Sequence, residues 1–322
     1  MSVTFSGGIT FTGGGFSFTG APTGPVGYFG GGEYPYESTV DRIVYANDTV
    51  TATIRGPLSV ARKDPAATGT SSYGWYAGGS NPTYFSTIDR IDYANDTATA
   101  SVRGPLTQSI TASTGVTDGT TYGWFNLGKT ASFGFISNNN RITFATDTAT
   151  ASLRGTLSAS AYRGGTSTST YGWLAGGYTG PAFISSVDRI DYANDTGAGS
   201  SRGPLSVITY NMGSAGNASY GWFTGGDTPG GIPSFSSRVQ RITYATDTAT
   251  ASVRGPLFEA VFSNAANGND SYAWVGGGRT IPGSATSNIS RIDYSNDTAT
   301  SSLRGPLSSA RYTMGSTSGV AT

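Results

Sequence analysis

Apolar and polar residues alternate with a period of two through many short segments of this chain, and glycine-rich or Asn/Asp-rich stretches separate the segments. The segments YGWYA, from Tyr73, and RIDYA, from Arg90, show the alternation clearly. Alternation of this period is typical of β-strands that bury one face. The pattern therefore predicts an all-β chain with short strands and many tight turns.

The alternating segments belong to a repeat. The phrase DRIDYANDTATASVRGPL, residues 89–106, occurs six times with small changes, and a phrase of the type YGW-AGG precedes each copy. In the first copy, Tyr28 stands in the place of the tryptophan. One arginine recurs at intervals of 48 to 52 residues, at Arg42, Arg90, Arg141, Arg189, Arg241 and Arg291. A period of about 50 residues is typical of a kelch-type propeller with one blade per repeat.

Each repeat contains four predicted strands. The YGW segment is the second strand, RIDYA is the third, and ATASV is the fourth, after an Asn/Asp-Thr turn. The first strand lies in the less regular stretch after GPL, for example ARKDPAATGT from Ala61. Asn and Asp favour tight turns, and Gly-Pro ends strand pairing. The sequence therefore predicts a six-bladed β-propeller with four antiparallel strands per blade.

The two ends of the repeat region complement each other. The first repeat has no first strand before Val26, whereas the last RGPL, from Arg304, is followed by LSSARYTMGSTSG, which has the features of a first strand. We predict that residues 308–320 supply the first strand of blade one and close the propeller, which would span residues 25–322. A solenoid would instead require polar caps at its ends.

The diglycine after an aromatic strand, the tyrosine that ends the third strand and the Asp-Thr turn resemble the kelch repeat over roughly residues 26–320. The chain differs from kelch after the turn, where its strand is small and polar and lacks tryptophan. The phrases YANDTATAS-RGPL and YGW-AGG also resemble propeller repeats of tailed bacteriophages, especially cyanophages. This second resemblance implies a virion structural protein: a decoration, head-fibre or tail-fibre subunit.

Composition narrows the possible functions. The charged residues are few, 12%, and balanced, with 19 basic and 19 acidic side chains, which argues against a nucleic-acid binder. The chain has no cysteine and no histidine, so disulfides, thiolate metal sites and His-dependent catalytic triads are excluded. We expect no cofactor, no metal and no enzymatic activity, although a carboxylate pair could in principle act as acid and base.

The N-terminus, MSVTFSGGIT, has neither the basic start nor the apolar core of a signal peptide, and no apolar run approaches the ~20 residues of a membrane span. We therefore expect synthesis in the host cytoplasm, no membrane insertion and a final location on the virion surface.

Residues 1–24 lie outside the repeat and form a glycine-rich arm with three short alternating segments. Its apolar positions are Val3, Phe5, Ile9, Phe11, Phe16 and Phe18. Apolar faces on an arm are unfavourable unless they are covered. We interpret the arm as a β-docking segment that binds capsid or tail proteins of the virion; the alternative is a tail or an extra pair of strands on the propeller.

Three sets of repeated residues suggest sites. The six aspartates of the turns could bind calcium or cap the turns: Asp48, Asp96, Asp147, Asp195, Asp247 and Asp297. We favour the turn caps because the spacing does not match a dedicated calcium loop. The paired arginines, such as Arg90 and Arg103, are expected to lock one blade to the next. The five tryptophans could stack on sugars, but their place within the second strand favours an interblade core.

The loops between the second and third strands vary in length and combine aromatic residues with small polar ones, which is typical of binding loops. In an antiparallel blade these loops share one face with the GPL connections. The predicted ligand or partner residues on this face are Tyr34, Tyr36, Tyr84, Phe85, Phe133, Phe135, Tyr178, Phe183 and Phe235. The alternative is that these rings cover the blade edges.

These observations lead to one functional hypothesis and one alternative. The hypothesis is a non-enzymatic virion subunit, present as a homo-oligomer or in many copies, that displays its propeller for attachment to a host surface receptor or glycan. The alternative is a cellular or extracellular kelch-like binding or surface-assembly module.

Overall fold

The computed structural model describes residues 25–132, 134–229 and 235–320. They form six four-stranded antiparallel sheets, which we number as blades I to VI, and the first strands of neighbouring blades contact one another around a central axis. The prediction of a six-bladed all-β propeller is confirmed. No helix in the described ranges is long and apolar enough to cross a lipid bilayer.

From the axis outward, blade I contains Gly315–Val320, Pro25–Gly30, Val40–Val44 and Thr53–Arg55. Blade II contains Ala66–Gly69, Tyr73–Ala77, Ile88–Asp92 and Ser101–Arg103. Blade III contains Thr114–Thr117, Tyr122–Asn126, Asn139–Thr143 and Ser152–Arg154. An additional two-stranded hairpin in the blade II loop pairs Ser80–Asn81 with Thr83–Tyr84.

The other three blades repeat this order. Blade IV contains Gly164–Ser167, Tyr171–Ala175, Val187–Asp191 and Ser200–Arg202. Blade V contains Gly213–Gly216, Tyr220–Thr224, Val239–Thr243 and Ser252–Arg254. Blade VI contains Ala265–Gly268, Tyr272–Gly276, Ile289–Asp293 and Ser302–Arg304.

The C-terminal strand closes the ring. Gly315–Val320 pairs antiparallel with Pro25–Gly30, in a register that runs from Gly30 opposite Gly315 to Pro25 opposite Val320. The strand thus occupies the innermost position of blade I, as the complementary chain ends predicted. The predicted arm, residues 1–24, lies outside the described residues.

The third strand is shorter than the pattern predicted. Its final tyrosine or phenylalanine begins a one-turn 3-10 helix instead of ending the strand. The six helices are Tyr45–Asn47, Tyr93–Asn95, Phe144–Thr146, Tyr192–Asn194, Tyr244–Thr246 and Tyr294–Asn296. In blade II the carboxylate of Asp92 accepts a hydrogen bond from the Ala94 amide and caps the helix. The fourth strand consequently starts late, at Ser101.

The helices place an aromatic ring against the preceding blade, and this packing forms the core between blades. Trp274 of blade VI stacks on Tyr45 of blade I with ring centroids 3.8 Å apart. The equivalent stacked pairs are Tyr28–Tyr93, Trp75–Phe144, Trp124–Tyr192, Trp173–Tyr244 and Trp222–Tyr294. The tryptophans are at most 1% exposed, so they are core residues and not a sugar-stacking platform.

Candidate functional site

The repeated aspartates join neighbouring blades. The Asp147 carboxylate of blade III accepts hydrogen bonds from Trp75 Nε1 at 2.9 Å and Arg90 Nη1 at 3.0 Å, both in blade II, and Arg103 Nε lies 3.6 Å away. We call this arrangement the interblade lock. It recurs at Asp195, Asp247, Asp297 and Asp48 with the equivalent tryptophan and arginines.

In blade I the lock uses the tyrosine that replaces tryptophan. The Tyr28 hydroxyl donates to Asp96 Oδ2 at 2.9 Å, and Arg42 Nη1 lies 2.8 Å from the same oxygen. The substitution therefore preserves both the stacking ring and the hydrogen-bond donor. Burial, together with the negative charge of Asp96, raises the pKa of Tyr28 above the ordinary tyrosine value.

The lock corrects our interpretation of these aspartates as turn caps and confirms the blade-locking interpretation of the arginines. The Asp carboxylates bind groups of the preceding blade, not their own turns. Each carboxylate already has two guanidinium neighbours, whose positive charge opposes a calcium ion. Within the described residues, no three Asp, Glu, His or Cys side chains are grouped to hold a metal.

The glycine that follows the final arginine of each fourth strand permits the backbones of two blades to meet. The Gly104 amide donates to the Asp147 carbonyl at 2.8 Å, and a Cβ on Gly104 would lie 1.9 Å from the Ala149 carbonyl oxygen. The same contact recurs at Gly56, Gly155, Gly203, Gly255 and Gly305. These glycines, which lack a Cβ, allow the two backbones to approach closely, and they also end the fourth strand.

Three blades contain a buried ion pair within the blade. Arg62 Nη2 lies 2.8 Å from Asp89 Oδ2, and both side chains are fully buried. Arg311 with Asp41 forms the corresponding pair in blade I. In blade IV the equivalent aspartate, Asp188, pairs with Arg163, which lies at a different position of the repeat. Burial lowers the pKa of Arg62 and Arg163, and the nearby carboxylates oppose this shift. The third-strand position is neutral in the other three blades, at Asn140, Gln240 and Ser290.

The two faces of the propeller differ. The turn face carries the 3-10 helices with the six locks. The loop face carries the second-to-third-strand loops and the connectors that precede the first strands, which are bridged to one another, for example Ala161 to Tyr178. All lysines and glutamates of the chain belong to loop-face segments: Lys63, Lys129, Glu33, Glu37 and Glu259.

The predicted aromatic residues of the loop face are only partly exposed. Tyr34 and Tyr36 have exposures of 64% and 37%, whereas the other described members are half-buried. Phe133 lies outside the described residues. The Phe85 ring packs against the Arg62 guanidinium at 5.3 Å, and Tyr84 ends the short hairpin of the blade II loop.

Four of the predicted residues belong to a continuous aromatic row. Successive ring centroids are 5.5, 4.7, 4.6, 5.7 and 5.2 Å apart along Phe135, Tyr178, Phe183, Tyr210, Phe262 and Phe235. The row crosses the loop face from blade III to the connector before blade VI. Tyr210 also donates to Asp227 Oδ2 at 2.8 Å; burial, then this hydrogen bond, raises its pKa.

Charged groups occupy other parts of the loop face. Lys63 Nζ lies 2.9 Å from Glu33 Oε2, and the Arg279 guanidinium lies 5.3 Å from the centre of the Tyr312 ring. Lys129 Nζ lies 5.5 Å from the centre of the Phe135 ring and thus joins the charged groups to the aromatic row. Positive and negative groups are mixed, so the face has no strong charge of one sign.

A ring of six equivalent residues surrounds the axis where the connectors enter the first strands. All have left-handed backbone, with φ between 52° and 60°: Asp64, Ala112, Tyr162, Asn211, Ser263 and Thr313. Each N–H, except that of Ala112, donates to the carbonyl of the equivalent residue in the preceding blade, at 2.8 to 3.0 Å. We call this feature the axial ring.

The axial ring opens into a cavity of about 330 Å³ between the first strands, and all six ring residues line this cavity. Burial raises the pKa of Asp64 to about 7; Lys63 opposes the shift, Glu33 adds to it, and Lys129 opposes it. Burial, followed by the charge of Asp64, also raises the pKa of Tyr162. The axis is therefore the place on the loop face where a polar cavity and perturbed side chains coincide.

Sequence reasoning missed the connector residues of this face. Asp64, Tyr162, Tyr210 and Phe262 all lie in the stretches between a fourth strand and the next first strand. These stretches differ most among the six repeats. That variation is the feature of the sequence that could have indicated functional residues there. The loop aromatics were easier to select because recognisable strands flank them on both sides.

Comparison with known proteins supports the fold. The solved structure of YjhT superimposes on 88% of this chain and 99% of its own, with a TM-score of 0.69 and 12% sequence identity. At this identity the similarity shows the propeller fold alone. No protein-family model matches the chain, and no curated protein matches it.

Proposed function

We propose that this chain is a non-enzymatic binding and display module that presents its loop face to a partner. The difference between the two faces carries the proposal. The turn face repeats one lock six times, whereas the loop face contains every lysine and glutamate, the aromatic row and the axial ring. A rigid scaffold with one varied face is suited to recognition, because the binding groups are held in place before the partner arrives.

A non-enzymatic role is supported by the structural use of the repeated aspartates. The six repeated aspartates are held by arginines of the preceding blade, and three more, Asp41, Asp89 and Asp188, are held by buried arginines. The chain has no histidine or cysteine to supply a general base or nucleophile.

The more specific proposal is a virion subunit, a decoration, head-fibre or tail-fibre protein, that docks through residues 1–24 and directs its loop face outward. The resemblance of the repeat phrases to tailed-phage propellers supports this role, as do the regularly spaced apolar residues of the arm. Host-surface attachment through the loop face would be the biological result.

The test uses particles purified from a lysed source culture and the full-length chain. We expect antibody against the propeller to label the outside of the particles and added chain to co-sediment with particles stripped of it. The variant Phe5→Ser/Phe11→Ser/Phe18→Ser should lose co-sedimentation, whereas Tyr34→Ser/Tyr36→Ser, matched in type but on the loop face, should retain it. Recovery of the protein only in the cell envelope or the soluble fraction would instead favour a cellular binding module.

A further inference from the structure

The axial ring has side chains that its backbone bonds do not require. A left-handed backbone disfavours most residues with a Cβ by about 1–2 kcal/mol, Asn and Asp least, and glycine would adopt it freely. Nevertheless five of the six positions hold polar side chains: Asp64, Tyr162, Asn211, Ser263 and Thr313. Side chains that are kept at positions of unfavourable backbone conformation point to a functional role for those side chains.

Two polar side chains of the axial ring lie at the cavity without a hydrogen-bond partner. Among the described residues, the Asp64 carboxylate and the Asn211 amide form no side-chain hydrogen bond, and both side chains are partly exposed. These groups are therefore available to a polar ligand.

The chemistry of the lining indicates what that occupant is. Lys63 is paired with Glu33, so neither contributes a full charge to the axis. The other polar groups of the lining are hydroxyls, three amides and the Asp64 carboxyl group, whose pKa of about 7 lets it donate or accept near neutral pH. The Arg163 guanidinium also lines the cavity, and Asp188 neutralises its charge. Such a set suits a ligand that offers many neutral donors and acceptors. The Tyr162 ring adds an apolar surface on the same rim.

The size of the cavity limits the ligand. Small-molecule sites measure about 300–1,000 Å³, and the axial cavity, about 330 Å³, lies at the lower end of this range. A compact ligand therefore fits better than an extended chain, which would have to continue over the loop face.

We propose that the axial ring binds one neutral polyhydroxylated ligand, the size of a single sugar residue, through Asp64, Tyr162 and Asn211. This inference rests on the proposed function, since it identifies the place on the loop face where recognition begins. A sugar residue at the end of a surface glycan would enter the cavity, and the aromatic row would contact the residues that follow.

Saturation-transfer NMR with the full-length chain tests this proposal, and the probes are the methyl glycosides of glucose, galactose, mannose and N-acetylglucosamine. We expect transfer to at least one of the four. Asp64→Asn and Asn211→Gly, both of which suit the left-handed backbone, should each raise the dissociation constant by about tenfold. Asp270→Asn, the same change as the first at an exposed position on the turn face, should leave it unchanged.

The absence of transfer to all four glycosides would overturn the inference. So would transfer that is equal in the wild type and both axial variants. Either result, with particle co-sedimentation retained, would leave the proposed function standing and remove only the axial site. Loss of particle association with glycoside binding intact would remove the virion role instead.

Discussion

Trp274 donates its indole hydrogen to Asp48 at 2.8 Å across the seam where the ring closes, and the two residues are 226 positions apart in the chain. This bond belongs to the same lock that joins every other pair of neighbouring blades. The seam is therefore held by side chains as well as by the C-terminal strand.

Removal of the Asp48 charge should destabilise the whole propeller. Asp48→Asn leaves Arg291 and Arg304 without their counter-charge in a mostly buried site, and we expect the free energy of unfolding to fall by about 3 kcal/mol. Urea denaturation measures the change, with exposed Asp270→Asn as the control. An unchanged midpoint would show that the seam does not depend on the lock.

The close approach of backbones at the glycines that follow the fourth strands predicts a steric effect. Gly104→Ala would place a Cβ 1.9 Å from the Ala149 carbonyl oxygen, so we expect a loss of more than about 3 kcal/mol or failure to fold.

Gly197→Ala is the matched control at another seam. Its new Cβ would lie 3.4 Å from the nearest atom, and four of the equivalent positions hold alanine: Ala98, Ala149, Ala249 and Ala299. We expect Gly197→Ala to be neutral or to stabilise by up to about 1 kcal/mol. Thermal denaturation should give a much lower melting temperature for Gly104→Ala than for Gly197→Ala. Similar melting temperatures would refute the steric argument.

The buried ion pair of blade II should be replaceable by the neutral pair of blade III. Asp89→Asn alone leaves the Arg62 charge buried without its carboxylate, and we expect a loss of about 3–5 kcal/mol. Adding Arg62→Ile reproduces the combination Asn140 and Ile110 of blade III and should recover most of that loss. A double-mutant cycle from urea unfolding gives the coupling energy. A double variant no better than the worse single variant would contradict this expectation.

Asp64 predicts a pH dependence of stability. Its pKa is about 7 in the folded chain, against 3.8 for an ordinary aspartate. Between these two pH values the folded state retains a proton that the unfolded state releases. The wild type should therefore lose stability from this source as the pH rises from about 4 to about 7, while Asp64→Asn should not. We expect the free energy of unfolding of Asp64→Asn, relative to that of the wild type, to be higher at about pH 8 than at about pH 4.

The groups around Asp64 that carry charge are Lys63, Glu33 and Lys129, and all are retained in that variant. Exposed Asp270→Asn again serves as the control. A stability difference between Asp64→Asn and wild type that is constant over this range would show that Asp64 titrates as an ordinary aspartate in the folded chain.

The repeat itself determined the architecture. A period of about 50 residues, four predicted strands per repeat and complementary chain ends were sufficient to predict six blades and closure by the last strand. Such local features can be predicted from the sequence because a strand buries one face wherever it packs. Comparison of the six copies distinguishes the repeated positions from the irregular ones.

Only the tertiary structure decided which residues meet across blades and around the axis. The repeated aspartates looked like turn caps because their partners, such as Trp75 for Asp147, are 72 residues distant in the sequence. The axial ring was hidden because Asp64, Tyr162 and Ser263 share no residue type. They share a backbone conformation and a backbone hydrogen bond to the preceding blade. Sequence patterns report the burial of a local face, whereas convergence of six different connectors at one point depends on the closed ring.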